Sequence, residues 1–149
     1  GVKGGSARKM ASGVGVSDDC VTKFNEMKLG HTYKYLVMKI SDNNEEIEVE
    51  HEGGADAKYE DFTALLPDDD GRYAIYDFEF ETDDGGKRNK LVFVLWAPDS
   101  AKIKSKMLYT SSKADLKKML VGIGAEIQGT DRSEVAYEEI LDKCKQNTR

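Results

Sequence analysis

Two histidines, two cysteines and 28 carboxylates are the side chains in this 149-residue sequence most able to do chemistry. His31 follows a helix stop and His51 ends an exposed strand. Neither has a Cys or a second His at ligand spacing, so both read as surface histidines rather than metal ligands or bases. Asp68-Asp69-Asp70 lacks the alternating ligands and the twelfth-place Glu of a calcium loop, and reads as a solvated turn. Gly13-x-Gly15 and Gly122-x-Gly124 are lone glycine pairs without the further glycine of a dinucleotide loop. Neither GxxxxGK[ST] nor GxSxG occurs, and nothing assembles a nucleophile with a base and an orienting group. The chain therefore reads as a non-enzyme without cofactor or metal. Shared-carboxylate catalysis is the one enzymatic route the composition leaves open. Cys20 and Cys144 lie near opposite ends with no CxxC pair, which suits free thiols in a reducing cytosol and leaves a single internal bridge open.

Charge is distributed unevenly. The net charge is −6. Between positions 42 and 70 there are twelve acids against Lys58; between 101 and 120 there are six lysines against Asp115. The acidic total disfavours nucleic-acid binding, which wants a basic footprint. The lysine cluster instead suits an acidic protein surface or an anionic headgroup. No apolar run approaches the roughly 20 residues that span a bilayer.

These residues need elements to position them. Gly1–Lys9 reads as a tag remnant ahead of a native start at Met10, leaving 10–149 as one domain. The stretch 12–16 reads as a mobile, Gly-rich arm. Ser17-Asp18-Asp19 caps a helix that carries Val21, Phe24 and Met27 and stops at Gly30. Tyr33–Ile40 and Ile47–His51 form a hairpin around Asp42-Asn43-Asn44. Tyr59–Leu66 is a helix ended by Pro67. Arg72–Thr82 alternates, with a phase slip at Tyr76-Asp77, and Asp83–Gly86 turns it into the nearly continuous apolar strand Lys90–Ala97. Trp96 reads as a core residue with a polar tip.

Pro98-Asp99 opens a long helix over 100–121. Its stripe Ile103/Met107 is out of phase with Leu116/Met119/Leu120/Ile123, so a kink is expected at Ser111-Ser112. On this helix Lys104 and Leu108 share a face, and Lys106 lies far round from Lys104. Ala125–Gln128 is a short edge strand, which can pair parallel after the helical crossover. Asp131 and Glu134 resemble a capping box, ahead of a helix striped by Tyr137, Ile140, Leu141 and Cys144. The fold class is α+β: a central mixed five-stranded sheet flanked on both faces by helices, with a long kinked helix after the Trp-Ala-Pro-Asp turn.

The string Trp96-Ala97-Pro98-Asp99-Ser100-Ala101 with Ile103-Lys104-Ser105-Lys106-Met107 resembles the signature of the ADF/cofilin family. The segments 24–30 (FNEMKLG), 72–78 (RYAIYDF), 88–90 (RNK), 109–113 (YTSSK) and 128–131 (QGTD) match in the same order, and the likeness runs from Met10 to Lys145. Coactosin-like and glia-maturation-factor-like relatives match these strings less well.

The resemblance implies a monomer that binds actin monomers and filaments, prefers the ADP-bound form, and severs and depolymerises filaments. The alternative is a coactosin-like filament side-binder without severing. It implies that Ser12, Gly13, Val14, Lys104, Ser105, Lys106 and Met107 contact both actin forms, and that Arg88, Lys90, Asp142 and Lys143 contact filaments only. Near Gln146 the family pattern has a basic residue, which here is displaced to Lys145. Ser12 matches a serine whose phosphorylation, adding close to two negative charges, switches off many relatives. Phosphoinositide headgroups are a further implied partner, and the implied location is the cytoplasmic actin cytoskeleton, with the nucleus open. Since neither histidine lies in the second half, pH dependence from a histidine on the long helix is not expected.

Overall fold

The structure, a computed structural model, describes residues 8–9 and 13–146. Its elements in chain order are β1 (Arg8–Lys9), β2 (Gly15–Val16), α1 (Asp18–Gly30), β3 (Tyr33–Ile40), β4 (Glu46–Gly54) and α2 (Tyr59–Thr63). There follow β5 (Arg72–Glu81), β6 (Lys87–Trp96), α3 (Ile103–Met119), β7 (Ile123–Gly129), a 3₁₀ turn (Arg132–Val135) and α4 (Tyr137–Gln146). One mixed sheet runs β1-β2-β4-β3-β5-β6-β7, parallel at β2–β4 and β6–β7. The five long strands are those expected from the sequence. The two further strands come from the N-terminal segment, where Gly15 and Val16 pair with Glu46 and Ile47.

For the described residues 13–16, that pairing corrects the reading of 12–16 as a mobile arm. Val14 and Val16 are buried, because a Val-Gly-Val stretch beside an edge strand gains more from covering Ile47 than from solvation. Arg8 and Lys9 pair with Val16 and Gly15, so part of the segment set aside as a tag remnant adds to the sheet.

Two cores lie on the two faces of the sheet. On one, α1 and α3 place Phe24, Met27, Tyr109 and Leu116 against Leu36, Met38, Ile75 and Phe93. On the other, α2, the 3₁₀ turn and α4 place Phe62, Val135, Ile140 and Cys144 against Val37, Tyr76, Phe78 and Trp96. Cys20 and Cys144 are therefore in different layers, both buried and not joined in a disulfide. Trp96 is core, its indole N–H donating to the Pro67 carbonyl at 2.6 Å.

Strand β5 shows no phase slip; its ladder with β6 is unbroken from Arg72↔Trp96 to Glu81↔Lys87. The apolar residues change parity because a central strand is covered on both sides. Tyr73 and Ile75 enter one core, while Tyr76, Phe78 and Phe80 enter the other. The buried Asp77 is left on the first face. It accepts from Asn89 Nδ2 at 3.0 Å, and His31 Nδ1 lies 2.9 Å from its other oxygen.

Helix α3 starts at Ile103, later than Pro98-Asp99 suggests, and runs unbroken through Ser111 and Ser112. Its two apolar stripes fall out of phase because only one of them faces the core. Tyr109, Ser112 and Leu116 are buried, whereas Ile103 and Met107 are 72% and 65% exposed. Ser111 Oγ donates back to Leu108 O at 3.2 Å, at the position where the sequence suggests a kink. The expected capping box lands on the 3₁₀ turn: Asp131 accepts from Glu134 N, while Glu134 reaches Thr130 N instead of closing back on Asp131.

Candidate functional site

Helix α3 supplies the most distinctive surface. At about 100° per residue, Ser105, Tyr109, Ser112 and Leu116 form the stripe directed at the sheet. Opposite them stands the exposed ridge of Ile103 and Met107. Lys104 and Lys106 fall about 80° to either side of that ridge by the same geometry. They flank one apolar line and do not lie on unrelated faces. Lys102 and Lys104 are exposed; Lys106 is half-buried and donates to the Asp99 carbonyl at 3.2 Å. The Ser105 hydroxyl turns inward and donates to Asp70 Oδ1 at 2.9 Å.

Not all of the lysine cluster is presented outward. Lys113, 2.6 Å away, and Lys117 both close on Glu126 of β7. Burial pulls the Glu126 carboxyl up, but the two ammonium groups prevail and hold it below its ordinary value. The outward cationic character is thus concentrated in the first turns of α3, where no side chain caps the helix start at Lys102.

The N-terminal segment reaches the same end of the molecule. Gly15 N donates to Glu45 O at 2.8 Å, beside the β3–β4 turn. That turn (Ser41, Asp42, Asn44) and the start of α3 (Lys102, Lys104) line one shallow groove. Gly13 is exposed at a φ of 87°, a conformation glycine adopts readily. Val14 is 1% exposed, so its side chain anchors the segment and cannot itself reach a partner. Ser12 lies outside the described residues.

The second group of residues converges at the far end of β6. Arg88 is exposed, and Lys90 donates to the Cys144 carbonyl at 3.2 Å, tying the last turn of α4 to the strand. Asp142 and Lys143 are exposed on that turn and border a polar groove with Glu139 and Gln146. From Arg88 to Trp96 the strand spans about 26 Å at 3.3 Å per residue. The two clusters therefore lie toward opposite ends of that strand, too far apart to serve one small epitope.

The model of the cofilin/tropomyosin-type actin-binding proteins matches residues 13–145. The chain belongs to that family. Among its relatives in this cofilin-type family is the actophorin of Acanthamoeba castellanii, 54% identical over 138 residues, which are 93% of this chain and 99% of that protein. The crystal structure of Streptomyces griseoflavus cofilin superposes with a TM-score of 0.84 at 50% identity, covering 90% of this chain and 98% of that one. Coactosin from Entamoeba histolytica reaches 0.80 at only 23% identity, covering 92% and 98%, a likeness of fold alone. Sequence identity thus places this cofilin-type chain nearer the actophorin and cofilin branch than the coactosin one.

Sequence reasoning missed the partners of these residues. The bond between Ser105 and Asp70 joins positions 35 residues apart in an otherwise plain acidic turn, and nothing in the local spacing signals it. Among the described residues, no group of three or more His, Cys, Asp or Glu side chains is placed to hold a metal ion, and no helix is long and apolar enough to cross a membrane.

Proposed function

We propose that this cofilin-family chain binds actin monomers through the Ile103–Met107 ridge with its flanking lysines. Filament binding adds the Arg88/Lys90/Asp142/Lys143 cluster, and the outcome is severing and depolymerisation. One observation carries the reading. Two large apolar side chains, 72% and 65% exposed, stand on a helix whose opposite face is locked into the core. Water-exposed apolar groups rimmed by charge mark a contact surface, and lysines at its border suit an acidic partner.

Filament remodelling follows from two separated surfaces. A protein that engages neighbouring subunits shifts a filament toward the twist it binds best, by no more than its difference in affinity for the two. Boundaries between decorated and bare segments are then strained. Preference for ADP-bound actin, phosphoinositide binding at the lysines and inhibition by phosphate on Ser12 belong to the same proposal. So do the absence of catalysis and residence in the cytoplasmic actin cytoskeleton, with access to the nucleus. Lysine-rich first turns beside an uncapped helix start support the anion-binding part.

The test is co-sedimentation with filaments, together with monomer binding and direct imaging of filament length. Lys104→Ala with Lys106→Ala should abolish binding to both actin forms, while Arg88→Ala with Lys90→Ala should weaken filament binding and spare monomers. Normal monomer binding by the first double variant would refute the ridge; equal losses in the second would refute the two-surface arrangement. Decorated filaments that keep their length would point to a side-binder instead.

A further inference from the structure

We propose that Asp70 is a positioning residue: through Ser105 it holds the first turn of α3 so that the Ile103–Met107 ridge and its lysines meet actin in a fixed orientation. This rests on the ridge being the actin contact. Helix α3 begins without a side-chain cap, so its first turn lacks the usual local restraint. The inward stripe of the helix continues through Tyr109, Ser112 and Leu116, and its first member is the polar Ser105. That hydroxyl donates to Asp70 Oδ1 at 2.9 Å.

Asp70 is itself fixed from several sides. Its Oδ1 also accepts from Gly71 N at 2.9 Å, and its Oδ2 accepts from Arg72 Nη1 at 2.9 Å. Arg72, 8% exposed, donates through Nε and Nη2 to the two oxygens of Glu50 at 2.8 and 3.2 Å. Glu50 is the extra residue of a β-bulge: Val37 faces His51 and Met38 faces Val49, leaving Glu50 without an opposite number. Bulges re-aim a side chain, and this one directs a carboxylate to Arg72. The result is a rigid line, bulge to Glu50 to Arg72 to Asp70 to Ser105, ending one residue from each of Lys104 and Lys106. Burial pulls the Asp70 carboxyl up, but the hydrogen bonds from Arg72, Ser105 and Gly71 leave it below its ordinary value, which suits a permanent acceptor.

The experiment measures the affinity of the full chain for ADP-bound actin monomers, with thermal unfolding midpoints alongside. Asp70→Ala and Ser105→Ala should each weaken binding by roughly tenfold, the size of losing one hydrogen bond to a charged acceptor. Ser105→Thr, which keeps the hydroxyl, should recover affinity to within about twofold of the parent, a rescue that a purely packing role does not predict. Asp70→Ala combined with Ser105→Ala should be no weaker than Asp70→Ala alone, since both cut the same link. If Ser105→Ala binds normally while the Lys104/Lys106 double alanine variant loses binding, positioning is refuted and the ridge stands. Equal losses for Ser105→Ala and Ser105→Thr, or additive losses in the double variant, would also refute it by making Ser105 a direct contact. If the lysine variant binds normally as well, the ridge itself is refuted.

Discussion

Replacing Tyr109 by Phe isolates one bond that seats α3 on the sheet. The β3–β5 ladder ends at the pair Met38↔Tyr73, so Ile40 has no neighbouring strand there to receive its N–H. The Tyr109 hydroxyl accepts that N–H at 2.9 Å in a buried setting. Its ring lies 5.0 Å from the Tyr73 ring, and Tyr73 in turn donates to the Tyr109 carbonyl at 2.5 Å. Tyr109→Phe keeps the ring and opens no large cavity, and leaves a buried amide without an acceptor. Such an orphaned donor costs about 1–3 kcal/mol, against near zero for a surface phenol. Taking about 2 kcal/mol, a domain of this size should lose roughly 4–8 °C in melting temperature. Urea unfolding should show the same loss in midpoint with an unchanged slope, because the surface exposed on unfolding is the same. Tyr109→Leu removes the ring as well and should cost more, by an added cavity contribution. If Tyr109→Phe unfolds within 0.5 °C of the parent, as a surface substitution of about zero cost would, the Ile40 amide is satisfied by another group and this bond does not seat the helix.

Two other outcomes follow from the same geometry. Glu126 is depressed below its ordinary value by Lys113 and Lys117, so its contribution to stability is full above the ordinary carboxylate range and disappears as pH falls through the folded-state value. The stability gap between the parent and Glu126→Gln should accordingly be widest near neutrality and close in acid; a gap that is constant with pH would mean the ion pairs contribute nothing. Burial pushes the Cys20 and Cys144 thiols up to about 12 and about 11, with nearby acids adding to the effect at Cys20 and Lys90 opposing it at Cys144. Both should resist a thiol reagent at pH 8 until the chain unfolds, and rapid labelling of the native protein would show that one of the two layers opens.

Most of the layout was legible because it rests on local patterns. Alternation located β4 and β5, a continuous apolar run located β6, and the Pro98-Asp99 break separated β6 from the helix that follows. The failures share a cause, which is that the deciding partner is remote in sequence. The 12–16 stretch looks flexible by its glycines, yet Val14 and Val16 are held by Ile47. The phase change in β5 looks like a slip only if one face is assumed to be wet; with helices on both faces, parity carries no penalty. Ile103 and Met107 look like core anchors until Tyr109, 69 residues from Ile40, fixes which side of α3 faces inward.

The candidate site follows the same division. Residue types and the order of the signature string point to Lys104, Lys106 and Met107, because exposed cations and an apolar neighbour need no partner within the chain to be recognised. What makes them a surface is not in the string. The rotational phase of α3 is set by Tyr109 against the end of β3 and by Ser105 against Asp70. A helix of the same sequence rotated by half a turn would bury Ile103 and Met107, and the same lysines would then flank the stripe of Ser105 and Tyr109 instead. Phase, not composition, turns a basic run into a docking face, and it is written in Ile40 and Asp70, residues outside the matching strings.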